Sequence, residues 1–377
     1  MFDTIVCNIL CISIYYVGDK MNNIEEKALK ILNILYEHNH ESYIVGGYVR
    51  DKLLNRSSND IDICTSATPK EIIELFPNTS SPQYGSINII YKNSNFDITT
   101  FRKEIKYQDN RLPVKIKYIK NVKQDLLRRD FTINTICIDK DGNIIDLLKA
   151  KEDLNKKLIK TVGNPRYRLK EDSLRILRAI RFATLLDFEI DNKTKCYIKK
   201  YGYLLKKLSY SRKKQELDKI FTSSRKEKGI KLLIELNLVD HLKLSNLENI
   251  TPCDDLTGIW AQINVDDIYP FNKTEKEQMK KIRELLELDI YDKYNIYKYG
   301  LYTSTVVYQI KKIDNTKLSN IYKSLSINSI KEIDITGKEI STILNKEPGS
   351  YIKDILNDLE KQIVYDKLIN KKEKKKR

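Results

Sequence analysis

Between residues 43 and 148 short apolar runs with every-second-residue spacing recur between Gly, Pro, Asn and Asp turns. That rhythm predicts strands at 43–46, 59–64, 86–91, 95–102, 135–139 and 143–147. A helical pattern over 22–38 precedes them. After Asp153 the strand rhythm fades, and helical periodicity with Lys/Glu-rich stretches runs to the end. It is interrupted near Gly163-Asn164-Pro165, Thr251-Pro252, Tyr269-Pro270 and Pro348-Gly349. An α/β head followed by a long helical remainder is an α+β layout. No internal repeat is evident.

The length, 377 residues, is enough for two or three domains with separate cores. The formal charge is +16, from 68 Lys+Arg against 52 Asp+Glu. Such an excess suits a polyanionic partner; it also fits a bulk bias toward Lys, Ile, Asn and Tyr. Six scattered cysteines form no C-x-x-C pair and read as small core residues of a reducing compartment. Three histidines leave little for a zinc site or a histidine triad. The apolar run 4–17 is too short to span a bilayer and has neither basic leader nor cleavage site. Met21 is the expected natural start, with residues 1–20 dispensable; a weak membrane anchor is the alternative. Lys371–Arg377 reads as a solvated basic tail.

Four segments carry candidate chemistry. Ser42-Tyr-Ile-Val-Gly-Gly-Tyr-Val-Arg-Asp51 reads as a strand, a glycine turn and a short helix. The Gly46-Gly47 turn lets backbone approach a phosphate, and Arg50 can reach a phosphate oxygen. In Asn59-Asp-Ile-Asp-Ile63 the alternation puts Ile61 and Ile63 on one face and Asp60 and Asp62 on the other. Two adjacent carboxylates repel unless a cation lies between them, and hard oxygen ligands near a triphosphate suit Mg²⁺. Asp97, in Asn95-Phe-Asp-Ile-Thr-Thr-Phe-Arg102, joins that site or takes a hydroxyl proton if its strand pairs alongside; otherwise it is an exposed strand carboxylate.

In Gln124-Asp-Leu-Leu-Arg-Arg-Asp-Phe-Thr-Ile-Asn134 the adjacent Arg128, Arg129 and Asp130 cannot all face one way. An arginine clamping triphosphate and an aspartate accepting from a ribose hydroxyl would explain them; so would a solvated charge cluster. Over 168–182 the pattern predicts one helix. At about 100° per residue, Glu171, Asp172, Arg175 and Arg178 lie opposite Ile176, Leu177, Ile180 and Ala183. Asp172, Arg175, Arg178 and Arg181 form one i+3 ridge. A carboxylate acceptor beside a guanidinium donor can read a base edge; the alternative is an exposed helix laced with salt bridges.

In this order, the motifs G-G-x-V-R-D…D-x-D, Arg128-Arg-Asp-Phe-Thr-Ile-Asn134, a loose D-x-x-G-x-x-D-L from Asp139 to Leu147, and E-D-x-x-R at Glu171–Arg175 resemble the class II tRNA nucleotidyltransferases. These are the CCA-adding enzymes and their relatives the bacterial poly(A) polymerases. The resemblance is strong over about residues 25–190 and returns at Asp334-Ile-Thr-Gly-Lys338 and Pro348-Gly349. It implies a polymerase-β-like nucleotidyltransferase head with a mixed sheet at 21–150, a helical neck at 151–225, and a helical body and tail at 226–377.

Carried over, it implies that Asp60 and Asp62 hold two Mg²⁺ ions, one activating the tRNA 3′ hydroxyl and one steadying triphosphate and leaving pyrophosphate. Gly47, Arg50 and Arg129 then contact phosphates and sugar. Asp172 and Arg175 become a protein template for CTP and then ATP, supported by Arg178 and Arg181. The basic neck, body and tail grip the acceptor and T arms of tRNA, in the cytoplasm. Ser173 stands where the family often has Pro or Ala. Tyr84-Gly-Ser-Ile-Asn88 and a full flexible loop at Lys103–Pro113 resemble complete CCA-adding enzymes, and no downstream His-Asp hydrolase motif is present. The alternatives are a poly(A) polymerase, an enzyme adding only CC or only A, and, in another class, a catalytically silent RNA-binding protein.

Overall fold

The computed structural model describes residues 23–77, 79–80, 82, 85–108 and 112–371, without the side chains of 106–108 and 112–115. The apolar run 4–17, Met21 and most of the basic tail lie outside them. Two units emerge: one contains the residues up to Arg175 together with Phe188–Tyr197, and the other contains Ile176–Asp187 with Ile198–Arg377.

The first unit is built on a six-stranded sheet in the order β3-β4-β2-β1-β7-β8. Its strands are β1 (Ser42–Val45), β2 (Asp62–Thr65), β3 (Ser86–Tyr91), β4 (Ser94–Thr100), β7 (Cys137–Ile138) and β8 (Ile144–Ile145). β2 and β4 run parallel and the other neighbours antiparallel, so the sheet is mixed. One face packs Val45, Cys64, Phe101, Val122, Leu126 and Cys137 into a dry cluster. Desolvation pushes the Cys64 thiol up, so it stays protonated and behaves as a core residue. The D-x-x-G-x-x-D-L element is local scaffolding. Asp139 accepts from the Asp141 and Asn143 amides at 3.0 and 2.8 Å, and Asp146 accepts from those of Ala150 and Lys151 at the start of helix Ala150–Asn155.

Three expectations change. The segment expected as the flexible loop 103–113 is, in its described part, an antiparallel ladder between β5 (Arg102–Gln108) and β6 (Leu112–Tyr118). Val114-Lys-Ile-Lys-Tyr118 alternates as a strand should, and its many lysines hid that. After Asp153 a parallel pair, β9 (Leu158–Ile159) with β10 (Glu189–Ile190), persists; two-residue strands are too short to show a period. Third, the helix expected over 168–182 is two helices, Pro165–Glu171 and Leu174–Leu186.

The second unit is helical. Trp260, 1% exposed, centres its packing, with Phe221, Tyr269 and Phe271 rings 5.1–5.3 Å away. A second cluster joins Ile327, Ile333, Ile363 and Val364. In the Asp334–Lys338 motif, Thr336 and Glu339 cap helix Gly337–Leu344 reciprocally. A Cβ on Gly337 would stand 2.9 Å from Ile352 Cγ2, so only glycine lets that helix approach Tyr351–Val364 this closely. Among the described residues no helix is long and apolar enough to cross a membrane.

Candidate active site

β1 ends at Val45, and Gly46 turns the chain into helix Gly47–Leu53 at φ 88°, ψ −138°, a conformation essentially reserved for glycine. A Cβ on Gly46 would stand 3.2 Å from Asp62 Oδ2 and 3.9 Å from Arg129 Nη1. The glycine turn, the D-x-D motif and the R-R-D motif therefore meet at one point of the sheet.

Asp62 opens β2, and its register partner on parallel β4 is Asp97. Directly opposed residues of neighbouring strands point to the same face, so the two carboxylates stand side by side. Asp97 accepts from Asn88 Nδ2 at 3.0 Å, across the β3–β4 ladder. Asp60 differs from the expectation: it lies exposed, ahead of the strand rather than within it, and is not among the residues lining the cleft described next. The burial alternation survives, with Ile61 and Ile63 each 1% exposed.

A polar cleft of about 690 Å³ opens on this face. Asp62, Asn88, Asp97, Arg102, Arg128 and Arg129 are among the residues that line it. The arginines are organised by a residue the sequence reading passed over. Asp125, wholly buried, accepts from the Arg102 amide at 3.0 Å, Arg128 Nε at 2.8 Å and Arg129 Nη2 at 3.3 Å. Its i+3 and i+4 spacing to Arg128 and Arg129 was the available signal. Burial works against the charge on Arg129, but Asp125, with Asp62 farther out, more than offsets it and holds the guanidinium above its ordinary value. Arg128 shifts the other way: burial, with repulsion from Arg129 and Arg102, outweighs Asp125 and Glu104.

Arg50, expected to reach a phosphate oxygen, is not among the residues that line the cleft. It is 7% exposed, donates from Nε and Nη2 to Asp51 at 2.9 and 2.8 Å, and from Nη1 to Asn134 at 2.7 Å. It ties the glycine-turn helix to the R-R-D-F-T-I-N segment. Asp130 accepts from the Phe131 amide at 2.8 Å and from Asn134 Nδ2 at 3.1 Å, completing that link. Gly47 is the first residue of the helix, against Arg50.

Asp172 leaves the helical conformation at φ −137° and accepts from the Leu174 amide at 3.0 Å. Its side chain substitutes for a helical hydrogen bond, which is why the ridge expected from Asp172 to Arg181 breaks here. Arg175 is 5% exposed, which excludes the alternative of an exposed helix at this position. It donates to the carbonyls of Arg168 at 3.0 Å and Arg128 at 2.9 Å, and to Glu171 at 3.4 Å. Arg168 reaches the same carbonyl of Arg128 and, at 3.0 Å, that of Arg129. The E-D-x-x-R segment is thus clamped to the backbone of the two arginines whose side chains line the cleft. Arg181, in the second unit, is 7% exposed and paired with Glu216 at 2.9 Å; Arg178 and Arg181 both lie over the Phe182 ring.

Among the described residues no three His, Cys, Asp or Glu side chains converge on one point. The donors that a divalent ion would meet are hard carboxylate oxygens, and the space beside Asp62 Oδ2 is kept open by the missing Cβ of Gly46. That set fits Mg²⁺, which binds through one or two carboxylates and fills its remaining positions with water and phosphate oxygens.

Comparison with known proteins agrees with this arrangement. Residues 42–160 match the poly(A) polymerase head domain, 187–247 the probable RNA and SrmB-binding site of polymerase A, and 268–374 a putative second domain of tRNA nucleotidyltransferase. The CCA-adding enzyme of Bacillus subtilis is 33% identical, over 93% of this chain and 97% of its own length. That of Bacillus cereus is 31% identical over 92% and 96%. The structure of the Bacillus stearothermophilus CCA-adding enzyme in complex with CTP superposes with a TM-score of 0.82 at 25% identity, covering 93% of this chain and 95% of that one. The Thermotoga maritima CCA-adding enzyme complexed with tRNA_CCA shares the fold at a TM-score of 0.66 and 21% identity, over 95% and 94% of the two chains. With near-complete coverage at this identity, the chain belongs to the CCA-adding enzymes, a family of nucleotidyltransferases.

Proposed function

We infer that the chain adds or repairs the 3′-terminal CCA of tRNA, using CTP and then ATP, without a nucleic-acid template and with release of pyrophosphate. The observation that carries this reading is the meeting of Gly46, Asp62 and Arg129 beside a cleft lined by both carboxylates and guanidinia.

In this scheme the 3′ hydroxyl of tRNA attacks the α-phosphorus of the nucleotide and pyrophosphate departs. Asp60 and Asp62 would hold the divalent cations, two Mg²⁺ by the family's pattern; when bound, they stabilise the charge on the attacking and leaving oxygens. Asp97, beside Asp62, takes the hydroxyl proton. Arg129 grips the triphosphate, and Gly46 with Gly47 lets it come close to the backbone. Arg50 and Asp130 hold the glycine-turn helix and the arginine segment in register, and Asp130 faces the ribose. Asp172 and Arg175 read the base edge, and Arg178 and Arg181 stiffen the helix that carries Arg175. The +16 charge favours a polyanionic macromolecular partner; by the family's pattern that partner is the acceptor and T arms of tRNA, in the cytoplasm.

The test mixes purified protein with tRNA lacking CCA, labelled CTP or ATP and Mg²⁺, and reads product length. Three added nucleotides are expected. A long ladder would make the enzyme a polyadenylating one, an arrest after two or one a partial enzyme, and no extension a binding protein.

A further inference from the structure

Two carboxylates stand behind the arginine wall of the cleft, and neither has a role in the scheme above. Asp125 holds Arg102 through its amide, and Arg128 and Arg129 through their guanidinia. Glu104, whose side chain is 9% exposed, lies 3.2 Å from Arg102 Nη2 and 3.6 Å from Arg128 Nη1. Glu104 comes from β5, the first strand of the hairpin, and Asp125 from helix Val122–Leu126. The three arginines are long, flexible side chains of like charge, all lining one cleft. Unanchored, they would repel one another and swing toward solvent. The anchoring is asymmetric: Arg129 is held through Nη2, while Nη1 lies by the Gly46 turn and its buried Nε has no hydrogen-bond partner among the described residues.

We propose that Asp125, seconded by Glu104, is the positioning residue of the polyphosphate side of the cleft, fixing Arg102, Arg128 and Arg129 where they receive the β- and γ-phosphates of the incoming nucleotide. This rests on the reading of the cleft as the triphosphate site. Two carboxylates against three guanidinia leave a net positive wall, so the anchors orient the arginines without cancelling their pull on an anion. Preorganised arginines lose less side-chain entropy when the anion arrives. The hairpin root is thereby tied to phosphate binding, because Glu104 belongs to it and touches two of the three arginines.

The experiment compares binding of CTP and CMP, with Mg²⁺, by titration calorimetry on the full chain. Asp125→Asn keeps the shape and removes the charge. It is expected to weaken CTP at least tenfold and CMP less than twofold. Combined with Arg129→Lys, it is expected to add clearly less than its tenfold effect alone, because part of that effect passes through the Arg129 guanidinium and the rest through Arg128. Equal losses for CTP and CMP would reveal a merely structural residue and overturn the proposal. So would an unchanged CTP affinity in Asp125→Asn when Arg129→Lys does weaken it. If wild type and Arg129→Lys bind CTP and CMP alike, the triphosphate reading itself falls and takes the proposal with it. Should Asp125→Asn not fold, Glu104→Gln decides: about a threefold loss for CTP alone supports positioning, and none overturns it.

Discussion

The vacant Cβ position of Gly46 stands 3.2 Å from Asp62 Oδ2. That gap joins the turn after β1 to the first residue of β2, and it makes a side chain at position 46 doubly unfavourable. An alanine would have to hold φ 88°, ψ −138°, at a cost of about 1–3 kcal/mol, and its methyl would crowd the carboxylate. Gly46→Ala is therefore expected to lower the melting temperature by several degrees and to cut CTP incorporation by at least a hundredfold. A variant with wild-type melting and turnover would show that the turn neither strains nor crowds the site.

Asp62 and Asp97 stand opposite each other on parallel strands, whereas Asp60 precedes the strand. Asp60→Ala or Asp62→Ala should abolish incorporation while tRNA binding, measured by filter retention, survives. EDTA should do the same to the unaltered enzyme, with recovery on adding Mg²⁺. Full activity in either variant would sink the metal assignment for that residue. Asp97→Asn tests its role as proton acceptor: the rate should no longer rise with pH, whereas a higher Mg²⁺ requirement with an unaltered pH profile would make Asp97 a metal ligand instead.

How much of this was legible beforehand depends on the range of each interaction. The strands of the sheet were readable because their alternation is local: Ile61 and Ile63, or Ile87 and Ile89, each declare a buried face within a few residues. The pairing of Asp62 with Asp97 was only conditional in the sequence, since register between parallel strands is a non-local property. The partners of Arg50 and Arg175 were hidden for a related reason. A guanidinium on a helix looks like a free cation until its distant acceptors, Asn134 and the Arg128 carbonyl, are known. Asp125 lies just outside the R-R-D motif, so only its i+3 and i+4 spacing to both arginines marks it in the sequence, and its burial beneath them is a tertiary property. The hairpin was read as a loop because charged residues masked a strand pattern.

Arg175 is claimed by two roles, base reader and brace. The brace is visible: removing the side chain loses its charge-assisted bonds to the carbonyls of Arg128 and Arg168, about 1.5–3 kcal/mol for each, although Arg168 and the Asp172 amide still reach those carbonyls. Arg175→Ala should melt several degrees lower. It should also degrade the choice between CTP and ATP more than it weakens triphosphate binding, because the clamp on residues 128 and 129 loosens while the side chain of Arg129 remains. Competition assays with both nucleotides measure the choice, and unaltered selection would remove the template role. Unchanged melting would remove the brace.

Ser173 sits at the break between the two helices, wholly buried, and its hydroxyl has no hydrogen-bond partner among the described residues. Its neighbours supply the local connections: Asp172 accepts from the Leu174 amide, and the Arg175 amide donates to the Asp172 carbonyl at 3.2 Å. The serine oxygen therefore carries a desolvation cost with nothing to offset it, and removing a single oxygen leaves too little space to count as a cavity. Ser173→Ala is expected to stabilise the protein by about 1 kcal/mol, a rise of about 2–4 °C in a melting experiment. Nucleotide choice should be unchanged, since Asp172 and Arg175 keep their hydrogen bonds. A drop in melting temperature would mean that the hydroxyl has a working partner and that the helix break depends on it.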